Sequence, residues 1–138
     1  KYRQLRIGNY GISDIITASK NMEYSYAEQE YYSYLDITVY ELKKEKVGIG
    51  AFLQAIKYCK GIQSYLNEKK PDLLYKINIV LLAKSVDLSG EFIYITDLFP
   101  KEIEGNFKLI NGVSFYSFNY DINGITFKKV CNYNLIFL

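Results

Sequence analysis

One helix-patterned segment stands between two strand-patterned ones in the middle of this chain, and that order restricts the fold more than any other feature. Residues 35–43 alternate, with Ile37, Val39, Glu41 and Lys43 on one face and Thr38, Tyr40 and Leu42 on the other. After Gly48 and Gly50, residues 49–68 place Phe52, Leu53, Ile56, Cys59, Ile62 and Leu66 at helical spacing, and Pro71 supplies a stop. Residues 77–84 then read as a buried strand. A helical crossover between two strands of one sheet implies that they lie parallel.

The flanking segments extend this sheet. Residues 2–7 and 12–18 alternate around the turn signal Gly8-Asn9-Tyr10-Gly11 and predict a hairpin. Residues 19–34, polar and rich in tyrosine, read as a long connection or extended arm. Residues 89–99 suit a short helix, although Phe92-Ile93-Tyr94-Ile95 also suits a strand. Residues 113–119 and 125–130 flank Asn123-Gly124, a type I′ hairpin signal. The expectation is therefore an α/β fold: a mixed sheet with flanking helices, in the order β-β-β-α-β followed by a C-terminal hairpin.

With 138 residues, 49% of them hydrophobic, the chain has material for one domain with one core. Because it opens inside a strand pattern, a longer parent protein is left open. No apolar run approaches the roughly 20 residues of a membrane span, and no signal peptide is visible. Cys59 and Cys131 lack metal-ligand spacing and read as buried small hydrophobes, which fits a reducing cytoplasm. The net charge of +2 gives no general polycation signal. Histidine is absent, which removes Ser-His triads, His-ligated zinc and histidine general bases together. Chemistry here must use carboxylates, lysines or tyrosines.

Glu41-Leu42-Lys43 is the segment that carries such chemistry. It ends a strand and sets a carboxylate and an ammonium on one face, two residues apart. A metal-dependent phosphodiesterase needs a carboxylate to hold Mg²⁺ and a cation to orient water or offset phosphate charge. An E-x-K tripeptide alone is far more often a solvated surface pair. A second carboxylate is required. Asp36 is five positions from Glu41 and so points to the opposite face, whereas Asp14 lies on the preceding strand and interrupts an apolar run.

An aspartate in a strand, a later strand ending in E-x-K, and a helix carrying Gln54-Ala55-Ile56-Lys57-Tyr58 together resemble the PD-(D/E)xK phosphodiesterase superfamily. The resemblance spans residues 2–84. It implies a restriction-endonuclease-like core, with Asp14, Glu41 and the Leu42 carbonyl as ligands of Mg²⁺ or Mn²⁺ and Lys43 as the catalytic lysine. It also brings Gln54 and Tyr58, four apart on a helix face distinct from the Phe52, Ile56 and Cys59 stripe, towards the metal. The implied activity is hydrolysis of nucleic-acid phosphodiesters, DNA rather than RNA, in repair or defence. Two departures stand out: the sequence begins too late to show the glutamate-bearing helix that many members have before the first strand, and Ser13 takes the place of the usual proline.

Lys44, Lys46, Lys57 and Lys60, with Arg3 and Arg6, gather near this pattern and could grip a phosphate backbone. Tyr24, Tyr26, Tyr31, Tyr32 and Tyr34 suit sheet packing or a homodimer contact better than base stacking, because acids interleave them. Two other readings remain: a catalytically silent domain of the same fold, for nucleic-acid binding or assembly, and an unrelated α/β domain. Convergence of Asp14 and Glu41 with Lys43 beside them separates the last from the first two.

Overall fold

The computed structural model describes the backbone of residues 2–6, 12–86 and 106–130, and side chains from Asp14 onward within those ranges. The elements are β1 (Tyr2–Arg6), β2 (Ile12–Ser25), β3 (Glu30–Leu42), β4 (Lys46–Val47), α1 (Ile49–Lys69), β5 (Tyr75–Ala83), β6 (Ser85–Val86), β7 (Leu109–Asp121) and β8 (Gly124–Lys129). A 6-stranded sheet has the order β1-β2-β3-β5-β7-β8, and β4 pairs with β6 beside it. The two hairpin pairs at one side and the pair at the other are antiparallel, whereas β3, β5 and β7 run parallel. The protein is thus a mixed α/β fold, with α1 as the crossover the sequence implies.

Alternation decides what is buried. Ile37, Val39 and Glu41 of β3 turn one way, towards α1, together with Tyr75, Ile77, Ile79, Leu81 and Ala83 of β5, all buried. Helix α1 closes that face with Ala51, Phe52, Ala55, Tyr58, Cys59 and Leu66. Replacing Ile79 by alanine at the centre of this layer would cost about 2–5 kcal/mol. The helix begins at Gly48 with no side-chain cap, so its start is set by packing and not by capping chemistry. It ends where the Lys70 N–H donates to Leu66 O at 2.8 Å, just ahead of Pro71.

Four expectations need correction. The long connection over residues 19–34 is instead the outer part of a hairpin, with Ser25 opposite Glu30 and Lys20 opposite Leu35, closed by a turn in which Gln29 takes φ 52°. Both faces of that two-stranded arm are largely wet, so no polar-apolar alternation marks it. Leu53 stands 58% exposed because the buried stripe of α1 centres on Ala51 and Ala55, small residues that let the helix approach the sheet. Tyr58, expected on a separate polar shoulder, is part of the core at 3% exposure.

The fourth correction concerns the C-terminal hairpin. Neither Ile122 nor Asn123 has positive φ; Gly124 takes it, at 119°, and pairs with Asp121. Asn123 N–H donates to Asp121 Oδ1 at 2.8 Å, an Asx contact that favours this geometry over type I′. The turn at 8–11, the segment 89–99 and Cys131 lie outside the described residues. Among the described residues α1 is the one helix, and no helix is long and apolar enough to cross a membrane.

Candidate metal centre

The antiparallel register of β2 and β3 brings the two acidic candidates together. The paired register ends with Ile15 opposite Tyr40, and Asp14 and Glu41 are the next residues beyond it on the two strands, close enough for the Asp14 charge to act on Glu41. Directly opposed side chains leave an antiparallel pair on the same sheet face. Asp14 Oδ2 accepts a hydrogen bond from the Leu42 main-chain N–H at 2.9 Å. The Lys43 N–H points the other way, to Leu82 O of β5 at 2.8 Å. Since the N–H and C=O of one residue leave the same edge of an extended strand, the Leu42 carbonyl also faces the Asp14 side.

Glu41 is buried, 2% exposed, at the end of the apolar row Ile37 and Val39. Its Oε1 accepts from Lys43 Nζ at 2.9 Å. Its Oε2 is buried and has no hydrogen-bond partner among the described residues. Burial raises the Glu41 pKa most, the hydrogen bond from Lys43 offsets part of that rise, and the nearby Asp14 charge adds a smaller one. A carboxylate held in this state is short of positive charge.

Helix α1 completes the constellation. Lys43 Nζ donates to Gln54 Oε1 at 3.2 Å, and Gln54 Nε2 donates to Tyr58 OH at 2.6 Å. Ammonium has only donors, so it fixes which end of the Gln54 amide faces it, and the NH₂ must turn to Tyr58. The Tyr58 ring is clamped in the core and leaves only its hydroxyl to meet Gln54. The sequence of contacts Glu41, Lys43, Gln54, Tyr58 therefore runs from the sheet to the helix without a gap.

This donor set fits a hard divalent cation. Among the described residues no group of three or more Asp, Glu, Cys or His side chains is placed to hold a metal. Mg²⁺, however, is commonly held by one or two carboxylates and otherwise by water and substrate oxygens. Asp14, Glu41 and the Leu42 carbonyl supply two charges and a neutral oxygen, and the orphaned Glu41 Oε2 is a buried acceptor that an ion would satisfy.

Lys44, Lys46, Lys57 and Lys60 are exposed. The Arg6 side chain lies outside the described residues. Asp36, set aside for the metal, is instead bonded to Asn78 Nδ2 at 2.7 Å and to Asn21 Nδ2 at 3.5 Å on the opposite sheet face.

The sequence reading passed over a groove of about 460 Å³ lined by Lys84, Ser117, Phe118, Asn119, Thr126 and Lys128. Only the register of β5 with β7 and β8 unites these residues, and no local pattern announces it. No family model, curated protein or solved structure matches the chain.

Proposed function

We propose that this chain is a divalent-metal-dependent nuclease with a PD-(D/E)xK-like, restriction-endonuclease-like core, hydrolysing phosphodiester bonds of DNA in preference to RNA. One observation carries the reading: a buried glutamate with an orphaned oxygen, opposed across a strand pair to an aspartate, and linked through Lys43 to Gln54 and Tyr58. An accidental surface E-x-K pair has no reason to bury its carboxylate or to engage a helix through three successive contacts.

Mg²⁺ or Mn²⁺, held by Asp14, Glu41 and the Leu42 carbonyl, would supply Lewis-acid polarisation of a phosphoryl oxygen. The protein's own groups do the rest. Lys43, pinned by Glu41 and Gln54, presents its ammonium where charge builds on the phosphate as water attacks phosphorus. Gln54 keeps that ammonium from folding onto other acceptors, and Tyr58 keeps Gln54 from flipping. The bond to the leaving oxygen breaks as the water oxygen bonds to phosphorus, with no covalent enzyme intermediate.

The test is cleavage of labelled single- and double-stranded DNA with Mg²⁺ or Mn²⁺ by the wild type, Glu41→Ala and Lys43→Ala, with an EDTA control. Metal-dependent cutting that both variants lose supports the reading. Binding without cutting by the folded wild type would replace it with a silent nucleic-acid-binding module. Neither binding nor cutting would end it.

A further inference from the structure

The parallel core places a second set of side chains beside the candidate centre. Strands β3, β5 and β7 run the same way, so the C-terminal ends that carry Glu41, Ala83 and Ser117 lie at one end of the sheet. Leu81 is the partner of both Glu41 and Phe115, and Ala83 is the partner of Ser117. Residues Phe115, Ser117 and Asn119 therefore continue the face that Glu41 occupies. Lys128 and Thr126 lie opposite Ser117 and Asn119 on β8 and share that face.

Ser117, Asn119, Thr126 and Lys128 line the groove of about 460 Å³, together with Phe118 and with Lys84 from just beyond β5. Two lysines, two hydroxyl residues and an asparagine are among the described lining residues, and none of those described is acidic. Such a set offers donors to an anion that has several oxygens. Among the described residues Lys84 Nζ meets one carboxylate, Glu45 Oε1 at 3.5 Å, in an exposed pair of the kind that exchanges readily for another anion, and it stands 5.5 Å from the centre of the Tyr120 ring. Ser117 Oγ donates to Lys128 O at 3.4 Å, a long contact that leaves the hydroxyl adaptable.

We propose that this groove is a phosphate-backbone subsite, which holds the nucleic-acid strand a few nucleotides away from the bond at the metal centre. This rests on the nuclease reading above. Two strand spacings across and two residues along separate Ser117 from Glu41, roughly 12 Å between main chains. That span corresponds to about three to four nucleotides of a duplex strand at roughly 3.4 Å each. Ser117, Asn119, Thr126 and Lys128 share a face and an end of the sheet with the centre, which puts both within reach of one strand. The contacts are to phosphate, and the subsite is accordingly indifferent to base sequence.

The experiment measures binding of a 5′-labelled 20-nucleotide DNA, single-stranded and duplex, by fluorescence anisotropy in EDTA across a salt series. Lys84→Ala/Lys128→Ala is compared with Lys20→Ala/Lys69→Ala, which removes the same charge from exposed positions at the far end of the molecule. The groove variant is expected to weaken binding alike for unrelated sequences and to lower the slope of log affinity against log salt by roughly 2. The control is expected to keep the wild-type slope. Equal slopes for the two variants, or an unchanged slope in the groove variant, overturn the subsite, while metal-dependent cutting by the wild type would leave the nuclease reading standing. A wild type that neither binds nor cuts removes both.

Discussion

Asp14 reaches across the β2–β3 pair to accept the Leu42 amide, Oδ2 to N 2.9 Å, so one carboxylate both secures the end of the strand pairing and adds negative charge beside Glu41. Asp14→Asn keeps an oxygen acceptor for Leu42 and removes the charge. The fold should survive, and the Glu41 pKa should move down, since the Asp14 charge is one of the causes that raise it. Metal affinity should fall by at least the roughly 10–100-fold typical of losing an outer partner. Carboxyl titration by NMR and metal titration calorimetry read the two effects, and a fall in both pKa and affinity is required.

Glu41 also sets a pH signature. Its folded-state pKa lies above that of the unfolded chain, so over the interval between the two the native protein holds a proton that the unfolded chain has released. Its contribution to stability is complete below the unfolded value and is lost as pH rises through the folded one. The expected slope is negative, at most about 1.4 kcal/mol per pH unit for one proton. Glu41→Gln should flatten it. Metal binding, which needs the carboxylate ionised, should tighten over the same interval; urea titrations and metal binding at several pH values check both.

Tyr58→Phe retains the buried ring and removes the partner of Gln54 Nε2. Loss of one neutral hydrogen bond, about 1 kcal/mol, corresponds to about fivefold in rate if it acts through Lys43. The expected pattern is a lower kcat at unchanged KM with little change in Tm. A drop in Tm without a change in kcat would make Tyr58 a packing residue alone.

Lys76 offers the converse test, stability without activity. It is buried on β5, bonded to Glu23 Oε2 at 2.6 Å, and stands over the rings of Tyr34 and Phe107. Five positions along the strands separate it from Glu41's level, roughly 16 Å. Lys76→Ala removes the ammonium of a part-buried, charge-assisted hydrogen bond and should cost about 1–3 kcal/mol in chemical denaturation. Cleavage per folded molecule should be unaffected.

Cys59 should be inert. Burial pushes its thiol up to about 12, so at neutral pH almost none is thiolate. Labelling by a thiol reagent, mapped by mass spectrometry, should reach Cys59 only after denaturation.

The long periodic features were legible in the sequence. The stripe from Phe52 to Leu66 gave the helix to within a residue at each end, and the alternation around Val39 and Glu41 gave the buried face of β3. The same spacing argument that set Asp36 aside and chose Asp14 agrees with their opposite faces in the fold. What escaped is tertiary in origin. The arm at residues 19–34 lacks alternation because neither face packs on a core, and Leu53 gave way to Ala51 and Ala55 because helix-to-sheet distance, which composition does not express, favoured small residues. Tyr58 shows a limit of the two-face idea, since one side chain can bury its ring and still offer its hydroxyl to a polar neighbour. The groove at Lys84 and Lys128 depended on the pairing of β5 with β7, which no short window contains.

Every side chain of the candidate centre comes from residues 14–58, yet Glu41 loses its water only when β5 and α1 close over β3. A chain that has formed just the β2–β3 hairpin carries a solvated glutamate of ordinary acidity and correspondingly weak hold on a cation. On the proposed function, ion affinity would be a late property in the order of folding, acquired with the non-local strand pairing that is intrinsically slow to form. A cation that binds only the closed state also draws the population towards it. The metal-binding rate during refolding would clock the docking of β5, and the first half of the sequence, made alone, would hold all the ligands and lack the affinity.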